Sequence, residues 1–431
     1  MGSISELLTA NTLHEKILIT AGSLASKEKL PAYVVGGYVR DMLLGRDSSD
    51  IDIMVEGDGI AFAKKLALEL GVDSTVDYDK FGTALIPHPE MEIEVSSARK
   101  EEYEPDSRKP SISYTTVEED MSRRDFTINA IAASILPDSF GTLYDPFGGL
   151  KDLQKGLIIT PLDPDETFCD DPLRMLRAVR FAAQLQYEVA PTTLESISQN
   201  IKRLEIVSWE RIRDEVIKSL KSDKPSTALY LMKETGLLAH VFPELNIMSG
   251  MEVIDGKGHK DVFIHTLQVV DNAAELTEKM DVRFAALVHD IAKPRTKHFD
   301  KKKGWTFHGH DEIGQRMLKK VAQRMKLSNQ LRDFLMLLTK LHLRPIALAM
   351  EGITDSAVRR VMAEAGEHID DLMMLCRADI TTKNPKLVKK YMGNFERVEY
   401  LMKDVKLRDE MRVFQSPIRG EEIMTIFSLK P

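Results

Sequence analysis

The chain has 431 residues, a formal net charge of −8, and 43% hydrophobic against 29% charged residues. That is the make-up of a globular protein with length for several domains, and the acidic balance argues against a protein that coats nucleic acid. No run of about 18 apolar residues and no basic-then-apolar leader is present, which excludes a spanning helix and an export signal as expectations. Cys169 and Cys376 are too few for a disulfide framework, so the expected compartment is a reducing cytoplasm.

In chain order, strand-like pieces come first. Ala32-Tyr-Val-Val is a short apolar run ending at Gly36-Gly37, and Asp50 to Val55 and Met91 to Val95 alternate with period two. Gly59 to Leu70 predicts an amphipathic helix between them. The charged stretch Arg99 to Thr115, with Pro105 and Pro110, reads as a mobile loop rather than an element. After about residue 160 strand signals fade into helical patterns. The expected class is α+β: a head with a small mixed sheet and helices, then an all-helical body. Basic clusters at Lys293 to Lys303 and Lys383 to Lys390 read, each alone, as solvated loops.

The first chemistry lies at Gly36-Gly37-Tyr38-Val39-Arg40-Asp41, after a strand and opening a helix. Two glycines allow close approach to a phosphate, and Arg40 adds a charge-assisted contact. Ten residues on, Asp50-Ile51-Asp52 places two carboxylates on one strand face. Such a pair calls for a cation, and Mg²⁺ held by carboxylates and substrate phosphates resolves the conflict. Glu94 on the next strand is a candidate third carboxylate. An isolated Asp-x-Asp reads as a solvated edge strand, and the glycine turn upstream reverses that reading.

These residues resemble the first motif of the class II tRNA nucleotidyltransferase and bacterial poly(A) polymerase family, in the polymerase-β-like superfamily. Further segments resemble the family in order: Arg123-Arg-Asp-Phe-Thr-Ile-Asn-Ala130, Asp145-Pro-Phe-Gly-Gly-Leu-Lys-Asp-Leu153, Asp170-Asp-Pro-Leu-Arg-Met-Leu-Arg177-Ala-Val-Arg180, and Trp209-Glu-Arg-Ile-Arg-Asp-Glu215. The matches cover roughly residues 30 to 245. One departure is Asp170, where the family usually has Glu. The resemblance implies a template-independent enzyme using Mg²⁺, CTP, ATP and tRNA, with Asp50, Asp52 and Glu94 catalytic. No DNA and no membrane partner is expected.

Base choice then falls to protein side chains. Cytosine and adenine both present an amino donor beside a ring-nitrogen acceptor, which a carboxylate and a guanidinium complement. Asp171 and Arg174, expected one helical turn apart, supply that pair. Guanine and uracil would leave both groups unpaired, at about 1–3 kcal/mol each. The same helix should turn Met175, Leu176, Val179, Ala182 and Ala183 inward. Arg177 and Arg180 are expected on the other half, reaching phosphates together with Arg124.

The helical body concentrates most of the 11 histidines. His265, His289-Asp290, His310, His342 and Asp379 suit Mn, Ni, Co or Zn. Adjacent His289 and Asp290 cannot share a helix face, but both can reach a metal at a helix end. The pattern resembles the HD phosphohydrolase superfamily, with His265, His289, Asp290 and Asp379 matching core ligands and His310 and His342 additional ones. The resemblance implies phosphatase or 2′,3′-cyclic phosphodiesterase activity.

The expected division is an N-terminal helical segment (1–30), a nucleotidyltransferase head (31–160), a helical neck (161–245), an HD domain (246–400) and a tail (401–431). Gly420 to Phe427 reads as the start of a helix whose partner is missing, so truncation is an expectation here. The expected activity is CCA addition with an appended HD hydrolase. The alternatives are A-only or CC-only addition, a poly(A) polymerase, and an HD hydrolase with a vestigial head.

Overall fold

The computed structural model describes residues 2–48, 50–102, 111–254, 257–258, 261–350, 353–413 and 424. The expected helix at Gly420 to Phe427 thus lies outside the described residues, Met424 excepted. Two compact units result, Met1–Phe242 and Pro243–Pro431.

The first unit is built on β1 (Ala32–Val35), β2 (Asp50–Val55), β3 (Val76–Tyr78), β4 (Thr83–His88), β5 (Met91–Ser97), β6 (Arg99–Glu102), β7 (Ser111–Tyr114), β8 (Ala132–Ser134) and β9 (Leu143–Tyr144). Seven of them form one sheet in the order β3-β4-β5-β2-β1-β8-β9. The pair β2–β5 is parallel and its other pairs are antiparallel. Alternation divides the sheet's faces as the period-two pattern requires. Ile51, Ile53, Val55, Ile93 and Val95 enter a core closed by helices Thr12–Glu28 and Gly59–Glu69. Burial of each such side chain contributes about 1.5–3 kcal/mol. The opposite face carries a smaller cluster with Val35, Met54, Met121 and Ala132. Asp52 stands two residues before Met54 and shares that face.

The stretch Arg99 to Thr115 corrects the expectation of a loop. Its ends, β6 and β7, pair antiparallel from Arg99↔Tyr114 to Glu102↔Ser111, and 103–110 lie outside the described residues. A two-stranded ribbon need not bury a face, so it carries no apolar alternation to be read.

Helices follow, including Pro164–Asp170, Leu173–Leu185, Pro191–Asn200, Trp209–Leu220 and Ser226–Thr235. In helix Leu173–Leu185 the residues expected to turn inward, Met175, Leu176, Val179, Ala182 and Ala183, are buried, but the other half is not all open to phosphates. Arg174 and Arg180 are buried along with its apolar residues.

The second unit is mainly helical. Helices Val262–Leu276, Met280–Val288, His310–Arg324, Asn329–Leu341 and Ile369–Ala378 bring their ends together, and the long helix Pro385–Val413 follows. Short ribbons Val253–Ile254 with Lys257–Gly258, and His298–Asp300 with Gly304–Thr306, interrupt the helical pattern. Among the described residues no helix is long and apolar enough to cross a membrane.

Candidate active sites

The glycine turn sits where the sequence placed it. Gly36 has φ +69°, and a Cβ there would lie 2.7 Å from Arg124 Nη1 and 3.7 Å from Asp52 Oδ2. Glycine is therefore required twice, by the backbone conformation and by the approach of two charged groups. Gly37 begins the helix Gly37–Leu43.

On β2 and β5 the parallel register sets Asp50 opposite Glu92 and Asp52 opposite Glu94. Burial, aggravated by Glu94 and Asp50 and only partly offset by Arg124 and Arg40, pushes the Asp52 carboxyl up to about 7. Glu94 is raised as well, by burial first and then by Asp50, against Arg99 and Arg124. Oxygen-only donors that resist ionising side by side are the set a hard divalent cation satisfies. Asp50, Asp52 and Glu94 thus fit Mg²⁺.

Arg124 is held over this site by Asp120, whose Oδ2 accepts from its Nε and Nη2 at 3.2 and 3.1 Å. Asp120 is buried and also accepts from Arg123 and from the Arg99 amide. Burial opposes ionisation of Asp120, and the two arginines outweigh it and lower its carboxyl. Sequence reasoning missed Asp120. Its signal was the spacing of three and four residues to Arg123 and Arg124 in a helical segment.

A second chain of contacts leads from the glycine turn to helix Leu173–Leu185. Arg40 Nη1 donates to Asn129 Oδ1 at 2.7 Å, Asn129 Nδ2 to Asp125 Oδ1 at 2.9 Å, and Arg177 Nε to Asp125 Oδ2 at 2.7 Å. The guanidiniums of Arg40, Arg177 and Arg180 lie 5.1, 5.4 and 4.0 Å from the Phe181 ring centre. Burial alone would raise the Asp125 carboxyl, but Arg177, Asn129 and Arg174 bring it down to about 2.

Asp171 and Arg174, expected to read the base, are placed differently from expectation. Asp171 is not on the helix with Arg174. It stands at the junction after Pro164–Asp170 in extended conformation, and Pro172 precedes the next helix. Proline disfavours helical backbone in the residue before it, which explains the break. Asp171 Oδ1 accepts from the Leu173 amide and Oδ2 pairs with Arg211 at 3.1 Å. Arg174 donates to the carbonyls of Arg123 and Thr167, using two of its five N–H groups. Arg180 is corrected as a phosphate contact. It is buried, and its Nε and Nη1 donate to Glu215 Oε2 and Gln184 Oε1, each at 2.6 Å. Its work is to pin helix Leu173–Leu185 to helix Trp209–Leu220.

In the second unit the ligand-type residues do occupy helix ends. His289, His342 and Asp379 immediately follow their helices, His310 opens one, and His265 lies in a first turn. Leaving the helix at Val288 lets His289 and Asp290 converge. The Nδ1 atoms of His289, His310 and His342 face the carbonyls of Ala286, Phe307 and Thr339 at 2.7–2.9 Å. A carbonyl only accepts, so each Nδ1 carries the proton and each Nε2 is turned inward as a ligand atom.

Two groups result: His265, His289 and Asp379, and Asp290, His310 and His342. Asp290 joins them, its Oδ2 lying 3.5 and 3.2 Å from Nε2 of His265 and His289, and its Oδ1 3.4 and 3.8 Å from those of His310 and His342. His289 Nε2 and Asp290 Oδ1 are buried with no hydrogen-bond partner of good geometry. Burial disfavours a charged His289, yet Asp290 and Asp379 outweigh it and push the imidazole up to about 10. Burial, then repulsion from His289, brings His342 down to about 4. Imidazole and carboxylate donors aimed at orphaned space fit a divalent transition metal.

A head that gathers carboxylates behind a phosphate-binding turn, and a helical body that gathers histidines at helix ends, define a nucleotidyltransferase joined to an HD unit. The Poly A polymerase head domain matches residues 32–159, the probable RNA and SrmB-binding site of polymerase A matches 186–248, and the HD domain matches 262–382. The chain belongs to the multifunctional CCA protein family. It is 33% identical over 372 residues to the Multifunctional CCA protein of Vibrio campbellii, covering 81% of this chain and 85% of that relative. An A-adding tRNA nucleotidyltransferase of Geobacter sulfurreducens is 36% identical over 238 residues, 54% of this chain and 27% of its own. The fold is similar to the Thermotoga maritima CCA-adding enzyme complexed with tRNA, with a TM-score of 0.65, 23% identity, and 98% and 89% of the two chains covered.

Proposed function

We propose that the chain adds C, C and A to the 3′ end of tRNA from CTP and ATP, in the cytoplasm, and that its HD unit hydrolyses phosphate esters. The observation that carries the first activity is the pairing of Asp52 with Glu94 across β2 and β5, beside Gly36 and Arg124. Asp50, Asp52 and Glu94 would hold Mg²⁺, which lowers the pKa of the attacking 3′-hydroxyl and neutralises the departing pyrophosphate. Gly36 and Gly37 let the triphosphate approach the backbone, and Arg124, steadied by Asp120, meets its charge. Arg40 and Arg177 are placed through Asn129 and Asp125, joining the triphosphate side to the base-selecting helix.

Asp171 and Arg174 read the base edge. The carboxylate accepts from the amino group on exchanging Arg211 for the nucleotide, and the remaining Arg174 N–H groups donate to the ring nitrogen. In the HD unit the His/Asp groups would hold Mn, Ni, Co or Zn, which would supply water activation and phosphoryl polarisation there. The residues at the helix ends would then position a phosphate ester for phosphatase or 2′,3′-cyclic phosphodiesterase chemistry.

The test supplies Mg²⁺, CTP and ATP to tRNA ending at the discriminator base, at C and at CC. Two CTP-dependent additions followed by one ATP-dependent addition are expected. The likeness to an A-adding relative favours a second reading, in which only the CC-ended tRNA grows. A long A tail would instead mark a poly(A) polymerase.

A further inference from the structure

The sheet face that carries the head's carboxylates continues past Glu94. Strand pairing sets Val76, Leu85, Glu94 and Asp52 in one row across β3, β4, β5 and β2, and Tyr78, Thr83, Ser96 and Met54 in the next. Paired residues point to the same face, so Val76 and Tyr78 stand on the side of Asp52. The other face of these strands is closed, with Ala84, Ile86, Ile93 and Val95 in the core. The outer wing β3–β4 is open on the carboxylate side. Val76, Tyr78, Phe81 of the turn that joins the two strands, and Tyr114 of β7 are 47–59% exposed. Tyr114 belongs to the same patch, since a Cβ on Gly82 would lie 3.8 Å from its ring.

Arg99 joins this wing to the metal-type site. Its guanidinium donates to Thr83 Oγ1 at 3.2 Å and to the Phe81 carbonyl, and lies 6.0 Å from the Phe81 ring centre. Burial raises the Glu94 carboxyl, and Arg99 is the foremost charge opposing that rise. Lys80 and Lys100, the chain neighbours of Phe81 and Arg99, are exposed. Rings that stack on bases, interleaved with cations that meet phosphates, are the equipment of a surface for single-stranded nucleic acid. In-line displacement then says which strand belongs there, because the attacking and leaving oxygens lie on opposite sides of the phosphorus. Gly36 follows β1 on one side of β2, and Glu94 and the wing lie on the other. A triphosphate at the glycine turn leaves the wing's side to the strand that attacks.

We propose that the β3–β4 wing binds the unpaired 3′ end of the acceptor RNA, with Phe81 and Tyr114 stacking on its bases and Arg99 meeting its phosphates. The terminal hydroxyl is thereby delivered to Asp50, Asp52 and Glu94. This proposal rests on the reading of the head as a nucleotidyltransferase and adds to it the seat of the attacking strand. Two strand spacings of about 4.8 Å each separate β3 from β5, which keeps a base on the wing within about 10 Å of the strand that carries Glu94. Phe81 and Tyr114 are exposed, so their truncation removes a stacking surface without opening a core.

The test uses the full chain with Mg²⁺, ATP and tRNA ending at CC, beside the same tRNA trimmed of its unpaired 3′ nucleotides. Phe81→Ala should raise KM for tRNA-CC about tenfold, as expected for one lost base–aromatic stack. Tyr114→Ala should do the same, and in both variants KM for ATP should be unchanged. Phe81→Trp should behave as the parent, because it keeps a ring at that position. Fluorescence-anisotropy titrations report the affinity for each RNA in parallel. Both truncations should weaken tRNA-CC by the same factor and leave binding of the trimmed tRNA as it was. If the parent adds no nucleotide, yet its preference for tRNA-CC over the trimmed tRNA depends on Phe81 and Tyr114, the transferase reading falls and the wing stands. If addition is intact and neither truncation changes KM or affinity for tRNA-CC, the proposal is overturned. It is equally overturned if the trimmed tRNA is weakened as much, or if KM for ATP rises instead.

Discussion

Gly36 shows how much one hydrogen can decide. Its φ of +69° is costly for any other L-residue, and a Cβ would press on Arg124 Nη1. Gly36→Ala should fold, with a loss of about 1–2 kcal/mol from the backbone conformation. Nucleotide addition should fall about 100-fold, because a displacement of order 1 Å suffices for that. Single-turnover addition to tRNA-CC alongside thermal melting separates the two effects. Asp125 gives a pH-dependent counterpart. Its folded-state carboxyl is depressed to about 2, so the stability it contributes is fully present above its unfolded value of about 3.9 and is lost as pH falls through about 2. The contribution is about 2 kcal/mol. Denaturant unfolding at pH 5 and pH 3 should show the parent losing part of this advantage over Asp125→Asn; equal differences at both pH values would contradict it.

Among the secondary-structure elements, three of the seven sheet strands were legible, and β3, β4, β8 and β9 were not, although β4 and β8 are largely buried. β1 showed as a short apolar run, and β2 and β5 because Ile51, Ile53, Ile93 and Val95 alternate into one core. The ribbon β6–β7 escaped notice because pairing of Arg99-Lys-Glu-Glu with Ser111-Ile-Ser-Tyr leaves no repeated apolar side. Asp52 and Glu94 were candidates from strand alternation, and the six His/Asp positions of the body from the concentration of histidines and the resemblance to the HD superfamily. Asp120, Asn129 and Glu215, which hold Arg124, Arg40 and Arg180, were not singled out, since tertiary pairing rather than local pattern gives them their task. Arg180 illustrates the limit. Periodicity placed it on a polar half, and packing of helix Trp209–Leu220 turned that half into an interior. Truncating one member of a buried ion pair costs about 3–5 kcal/mol. Arg180→Ala should therefore lower stability by that order while leaving KM for ATP and CTP within about twofold of the parent, a small change on the affinity scale. A raised nucleotide KM with unchanged melting would restore Arg180 to the phosphate site.

At the level of the whole chain, two donor sets of different chemistry occupy one polypeptide. The head offers carboxylate oxygens, suited to Mg²⁺, and the body offers imidazole nitrogens with Asp290 and Asp379, suited to transition metals. The two groups in the body share Asp290, whose oxygens face opposite histidine pairs. A full chain carrying Asp52→Asn to weaken the head site should therefore bind about two Mn²⁺ or Ni²⁺ ions, as the two clusters imply. His342→Ala should reduce this to about one, and Asp290→Ala should abolish tight binding, because its two oxygens face both clusters. Native mass spectrometry after dialysis counts the ions. Binding must also expel the proton that Asp290 and Asp379 keep on His289, whose imidazole sits at about 10, since a ligand must be deprotonated. Affinity should accordingly weaken as pH is lowered from 9 toward 7, by up to about tenfold per unit. Calorimetry in two buffers of different ionisation enthalpy should report about one proton released. If affinity is flat over that range and no proton appears, His289 does not carry the proton that Asp290 and Asp379 are expected to hold there.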